Sequence, residues 1–112
     1  MTQIQQKLIN YLKEYCYSKE NAITFRRLAL RLDINSRELR RIVADIVING
    51  IAPIGSNSKD GYFYISNEDE YIWAREELMS RIKKLSKRCK GLRISWTIEK
   101  EKIEFQQMEL IK

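Results

Sequence analysis

The stretch "DINSRELRRIV", residues 33–43, decides how the chain is read. A short polar turn opens into a helical pattern in which Leu39, Ile42, Val43 and, just beyond, Ile46 share one face. Arg37, Arg41 and Ala44 then point nearly the opposite way, and Arg40 lies on the flank. Asn35 followed by Glu38 has the spacing of a capping box, with Asn in the usual place of Ser or Thr. Asn49-Gly50 is a good stop. The pattern predicts a helix over 36–48 with a basic outward face.

Upstream, Thr24 stands where it can cap "FRRLALRL", a short helix over 25–32 whose Phe25, Leu28, Ala29 and Leu32 face inward. The turn "DIN" joins the two helices, with Ile34 tucked inward. Before them, residues 3–17 form an amphipathic helix with Ile4, Leu8, Tyr11, Leu12 and Tyr15 on its apolar face. Residues 18–23, "SKENAI", read as a loop. Downstream, "APIG" is a short extended piece, and Pro53 argues against a central strand. "SNSKDG" is a hairpin turn with Asp60-Gly61 as its strongest signal, and "YFYI" is the returning strand.

Ser66 or Asn67 caps a further helix whose first turn is acidic. It is expected to run to about Lys90, with Tyr71, Leu78, Ile82, Leu85 and Cys89 near heptad spacing. Its charge is segregated: five acids and one base over 66–77, seven bases and no acid over 78–93. That basic run reads either as a nucleic-acid contact or as a solvated helix end suited to the dipole. Gly91 is expected to break the helix. "LRISWTI" (92–98) alternates like a strand, and 99–112 read as a weak helix. Trp96 and Phe105 imply packing within the chain or on a second copy, so this region is the candidate for self-association.

The predicted fold class is therefore mainly α with a small β-hairpin: a helix-turn-helix followed by a two-stranded hairpin over 1–65, then a long C-terminal helix and an uncertain tail over 66–112. The length of 112 residues suits one compact domain with an extension. Hydrophobic content of 44% with 32% charged residues is that of a globular chain. The net charge of +6 favours polyanionic partners. No apolar run is long enough to cross a membrane, and no signal-like segment opens the chain, so the expected location is cytoplasmic. Cys16 and Cys89, with no His in the chain, are expected to be reduced, partly buried thiols rather than metal ligands.

Catalysis is not expected. The absence of His removes His-based acid–base pairs and triads. The four glycines, at 50, 55, 61 and 91, make no phosphate-cradling loop. Asp33 and Asp45 read as a turn residue and a solvated helix residue. No cofactor and no metal are expected.

Residues 24–65, "TFRRLALRLDINSRELRRIVADIVINGIAPIGSNSKDGYFYI", resemble the winged helix-turn-helix domains of small phage and prophage proteins of Gram-positive bacteria. The resemblance extends over about residues 1–65 when the first helix is counted. It implies a core of Leu28, Ala29, Leu32, Ile34, Leu39, Val43 and Ile46, a recognition helix over 36–48 and a wing over 51–65. Gly55, Asp33 in a turn position often held by Gly, and a wing with only Lys59 as a base depart from the pattern. The implied function is sequence-specific or structure-dependent binding of double-stranded DNA by a regulator or replication accessory.

The expected DNA-binding residues are Ser36, Arg37, Arg40 and Arg41 on the third helix, Lys59 on the wing, and Arg26 and Arg27 on the second helix. Arginine pairs bidentately with guanine in a major groove, and a helix start suits a phosphate. The bland alternative is a solvated face paired with Glu38 and Asp45. Tyr62 and Tyr64 read as strand packing. The rival function is a protein-binding winged helix, such as an anti-repressor or an inhibitor of a host protein. Ala44, Val47 and Ile48 on the third helix favour it. A membrane-surface role is not expected, because the basic run near residue 88 lacks a paired large apolar face.

Overall fold

In the computed structural model, which describes residues 1–111, the order is α1 (Gln3–Tyr15), a 3₁₀ turn (Lys19–Asn21), α2 (Phe25–Leu32), α3 (Ser36–Ile48), β1 (Ile54–Asn57), β2 (Gly61–Tyr64) and α4 (Glu68–Ile111). The architecture is mainly helical, with a two-stranded antiparallel hairpin and a long C-terminal helix. The chain divides into two units, Met1–Glu77 and Leu78–Lys112.

The core of the first unit is built from Leu8, Ile9 and Leu12 of α1, Leu28, Ala29 and Leu32 of α2, and Leu39, Ile42, Val43 and Ile46 of α3. The inward stripes read from periodicity on α2 and α3 are the buried ones, except that Phe25 is only partly buried. Ile34, between them, is partly buried against the same core. On α1 the stripe is rotated: Ile9 is buried, while Tyr15 is exposed and its ring lies 5.0 Å from that of Tyr11. Thr2 and Gln5 make a reciprocal capping box at the start of α1.

The turn between α2 and α3 is tight because α2 ends in a Schellman motif. Asp33 takes the left-handed conformation (φ 55°), its N–H bonds the Leu30 carbonyl, and the Ile34 N–H bonds the Ala29 carbonyl. Asp can adopt this conformation at a cost that Gly avoids. The same motif closes α3. There Gly50 (φ 65°) donates to Val47 and Ile51 donates to Ile46. At the start of α3, Asn35 Oδ1 accepts from the Glu38 N–H at 2.8 Å. The Glu38 side chain does not return the bond, so only half of the expected capping box forms. Thr24 precedes α2 as expected, but its side chain makes no capping bond.

Residues 18–23 are more than a loop. Ile23 and Tyr62 exchange two backbone hydrogen bonds, of 2.9 and 2.7 Å. Tyr64 donates to the Cys16 carbonyl and accepts from the Ser18 N–H. The chain therefore leaves α1 after Tyr15, not Tyr17, because residues 16–18 join the free edge of β2. The backbones of Tyr62 and Tyr64 bond outward in this way, and all four β2 residues are in register with β1, from Asn57 opposite Gly61 to Ile54 opposite Tyr64.

The hairpin has two covered faces. Ile54, Tyr62 and Tyr64 pack on the core. Phe63 lies on the other face, fully buried, with its ring 6.0 Å from Trp73 of α4. Gly55 sits directly beneath that ring, and a Cβ there would collide with it. The glycine that departs from the winged-helix pattern is the space Phe63 occupies. Gly61 (φ 94°) is pressed against the Ile23 carbonyl in the same manner.

The first turns of α4 are tied to the segment after α1 by one carboxylate. Glu70 Oε2 accepts from Ser18 Oγ at 2.5 Å and from the Lys19 N–H at 2.9 Å. Its Oε1 accepts from both the N–H and the Oγ of Ser66, each at 2.9 Å. Asn67 caps α4 through the Glu70 N–H at 2.9 Å. Lys19 Nζ lies 3.7 Å from the centre of the Trp73 ring, a cation–π contact beside the same junction. Desolvation pushes the Glu70 carboxyl upward, but the four hydrogen bonds together outweigh it and hold the group at about 2 against an ordinary 4.5.

Beyond residue 90 the structure departs from the sequence reading. Gly91 does not break α4, and residues 92–98 are helical rather than a strand. Ser95 Oγ donates to the Leu92 carbonyl and Thr97 Oγ1 to the Arg93 carbonyl, so the two hydroxyl side chains of this stretch are satisfied by back-bonding within the helix. A short apolar alternation does not distinguish strand from helix without a partner strand. Residues 99–111 continue the same helix. Cys89 is exposed and not partly buried as expected, whereas Cys16 is buried.

Two measurements test this architecture. Gly55→Ala should lower stability by about 1–3 kcal/mol through overpacking, despite the entropy gain usual for Gly→Ala. In a Phe63→Leu background the cost of the same change should shrink, as a urea-denaturation double-mutant cycle would read. Glu70→Gln presents an amide NH2 to donors and should cost about 1–2 kcal/mol at pH 7. Because the folded-state value is depressed, the carboxylate's contribution is complete above about pH 4.5 and is lost as pH falls toward 2. The difference between wild type and Glu70→Gln should therefore narrow across that window.

Candidate nucleic-acid interface

The outward face of α3 follows from its buried one. With Leu39, Ile42, Val43 and Ile46 fixed in the core, the 3.6-residue period turns Arg37 and Arg41 to solvent. Both are exposed, as is Arg40. Ser36, the first residue of the helix, is half-buried. Asn35 uses its side chain on the Glu38 N–H, so it acts as a cap.

Arg40 is held by a contact that periodicity does not reveal. Its guanidinium carbon lies 4.9 Å from the centre of the Phe25 ring, at the start of α2. Arg26 approaches the same ring at 5.8 Å. Phe25 is itself partly buried against the core. One aromatic ring thus gathers two guanidinium groups from two helices. Arginine favours such stacking because its planar, weakly hydrated cation suits an aromatic face. The arrangement leaves N–H groups at the guanidinium edge free to meet phosphate or base oxygens.

The other expected contacts are distributed more loosely. Arg27 is exposed on α2. Lys59 is exposed in the β1–β2 turn, and it makes no hydrogen bond, ion pair or ring contact with α2 or α3 among the described residues. That turn is set by Asn57 and Asp60. The Asp60 N–H donates to Asn57 Oδ1, and Asn57 Nδ2 donates to Asp60 Oδ2 at 3.0 Å. The structure therefore brings Arg26 and Arg40 together, displays Arg37 and Arg41 on one helix face, and places Lys59 on a separate element.

Apolar surface is exposed near the same helices. Ile48, at the end of α3, is 79% exposed, and Leu30 on α2 is 81% exposed. Val47 and Ile51 are exposed to a smaller degree. Tyr62 and Tyr64 are half-buried in strand packing, and Tyr64 stacks on Tyr17 with ring centres 6.0 Å apart.

Two features of this unit escaped sequence reasoning. Phe25 was read only as an inward residue, yet its ring is a platform for cations. Glu70 was read as one acid in a helix start, yet it is the hub of four hydrogen bonds. A shallow cleft lined by Ser18, Lys19, Glu20, Ala22, Asp60 and Glu70 lies beside it. No group of three or more Cys, Asp or Glu side chains is gathered in metal-binding fashion among the described residues.

No protein-family model, no curated protein and no solved structure matches the chain.

Proposed function

We propose that this chain is a winged helix-turn-helix protein of phage or prophage type that binds double-stranded DNA through α3, as a regulator or replication accessory. The observation that carries the proposal is the disposition of Arg37, Arg40 and Arg41. Two point outward from a short helix whose other side is locked in the core. The third is stacked on Phe25 beside Arg26.

A single helix exposed along its length fits a major groove, where arginine reads guanine O6 and N7. The tight Asp33 turn fixes α2 against α3, so Arg26 and Arg27 are available for backbone phosphates. The hairpin would act as the wing, with Lys59 as its one basic contact. The net charge of +6 adds non-specific attraction to the duplex.

A second reading has its own support. Ile48 and Leu30 are large apolar side chains exposed on the same two helices, and exposed apolar surface marks protein interaction sites. In that reading α3 docks on a protein, and the chain is an anti-repressor or an inhibitor of a host protein.

A salt-dependent duplex-binding titration separates the two. If α3 binds DNA, Arg37→Ala/Arg41→Ala should weaken binding, and the slope of log K against log salt should fall by roughly one to two units. Equal and negligible binding by wild type and the double variant would overturn the DNA reading and leave the protein-binding one.

A further inference from the structure

We infer that α4 pairs with α4 of a second copy of this chain as an antiparallel two-stranded coiled coil, along the seam that begins at Leu78.

The seam is a strict alternation of three- and four-residue steps. Leu78, Ile82, Leu85, Cys89, Leu92 and Trp96 occupy six consecutive positions of it. Glu99, Ile103, Gln106 and Leu110 continue the same spacing. At 100° per residue, Leu78, Trp96 and the side chains between them on the seam stay within about 40° of one line. Along this helix Leu85 is 56% exposed, Leu92 71% and Trp96 57%. From Leu78 to Leu110 the seam is about 48 Å long at 1.5 Å per residue. A helix surface of this length, apolar at eight of ten regularly spaced positions, matches the requirement of a coiled-coil partner with the same repeat.

The charge layout selects a second copy and its direction. Residues 78–93 carry seven bases and no acid, while 94–110 carry Glu99, Glu101, Glu104 and Glu109 against two lysines. A parallel, in-register pair sets the two basic segments side by side. It also puts Arg88 next to the partner copy's residue 93, likewise an arginine, and faces Glu99 with its own equivalent in the seam. Each of these is a like-charge contact, and the last is desolvated. An antiparallel pair with its twofold near Ile94 lays 79–93 along 95–109 of the other copy. Glu99 then faces position 89 amid the basic segment, and Leu92, Leu85 and Leu78 face positions 96, 103 and 110. By net charge the chain is thus complementary to itself head to tail and not head to head; at the seam edges Arg81 lies beside position 109, a glutamate, while Arg88 lies beside position 102, a lysine, and Arg93 beside position 93.

A second, shorter apolar row, Ile94, Ile98, Phe105 and Met108, lies on the opposite face of the helix. It covers only the distal half and has no counterpart across from residues 78–93. The seam beginning at Leu78 therefore has the longer continuous match.

Light scattering coupled to size exclusion on the full chain tests this. The expected mass is twice the 13.4 kDa of one chain, and a mass of one chain at all concentrations overturns the inference. Leu85→Glu/Leu92→Glu should reduce the mass to one chain, and retention of the doubled mass overturns it. Ile98→Glu/Phe105→Glu adds the same charge to the other face and should keep the doubled mass. Its conversion to one chain would move the interface to that face and overturn the assignment. Direction is read with Leu110→Cys in a Cys89→Ser background under mild oxidation. The antiparallel pair holds the two residues at opposite ends and should give no linked dimer, whereas efficient linkage shows a parallel pair and overturns the inference.

Discussion

Strand β2 is hydrogen-bonded along both edges, and the rest of the first unit is arranged around that fact. Its two edges serve different neighbours. All four of its residues are in register with β1, and the backbone groups of Tyr62 and Tyr64 bond on the other edge, to Ile23 and to Cys16 and Ser18. Four residues of strand thereby connect the end of α1, the approach to α2 and the hairpin. The side chains alternate between two faces. Tyr62 and Tyr64 close the helical core, and Phe63 faces the start of α4. A strand with only one partner would leave the 16–23 backbone groups to water and would not fix where α2 begins. The position of α2 fixes the Schellman turn at Asp33, and that turn fixes α3.

Much of this was legible in the sequence because it depends on local periodicity. The buried stripes of α2 and α3, the exposed Arg37 and Arg41, the hairpin turn and the stop at Asn49-Gly50 all follow from spacing within one element. What was hidden depends on contacts between distant segments. The Glu70 bonds to Ser18 and Lys19 span about fifty positions of chain and have no periodic signature. The stacking of Arg40 on Phe25 depends on how two helices approach. Gly55 is intelligible only once Phe63 is seen to lie on it. Capping was legible in part: Asn35 behaves as a cap, but Glu38 does not complete the box and Thr24 makes no capping bond.

The distal half of α4 shows the opposite failure, a local pattern that misled. "LRISWTI" alternates apolar and polar residues as a half-buried strand does. A strand needs a neighbour to satisfy its backbone, and a helix satisfies its own. The helix on both sides of this stretch makes propagation through Gly91 cheaper than stopping, since the cost of nucleation has already been met. Two opposite apolar rows then share one helix, and this is why no single amphipathic face was visible over 92–110.

Cys16 gives the β2 junction a chemical handle. Its carbonyl accepts from Tyr64, its side chain is 3% exposed, and burial raises its thiol above the ordinary range. Thiolate, not thiol, attacks alkylating reagents, so the folded chain protects this sulfur twice, by access and by ionisation. Reaction at Cys16 then requires the α1–β2 junction to open, and its rate under fast reclosing reports the free energy of that opening. The protein carries its own clock for the one joint on which its first unit is assembled.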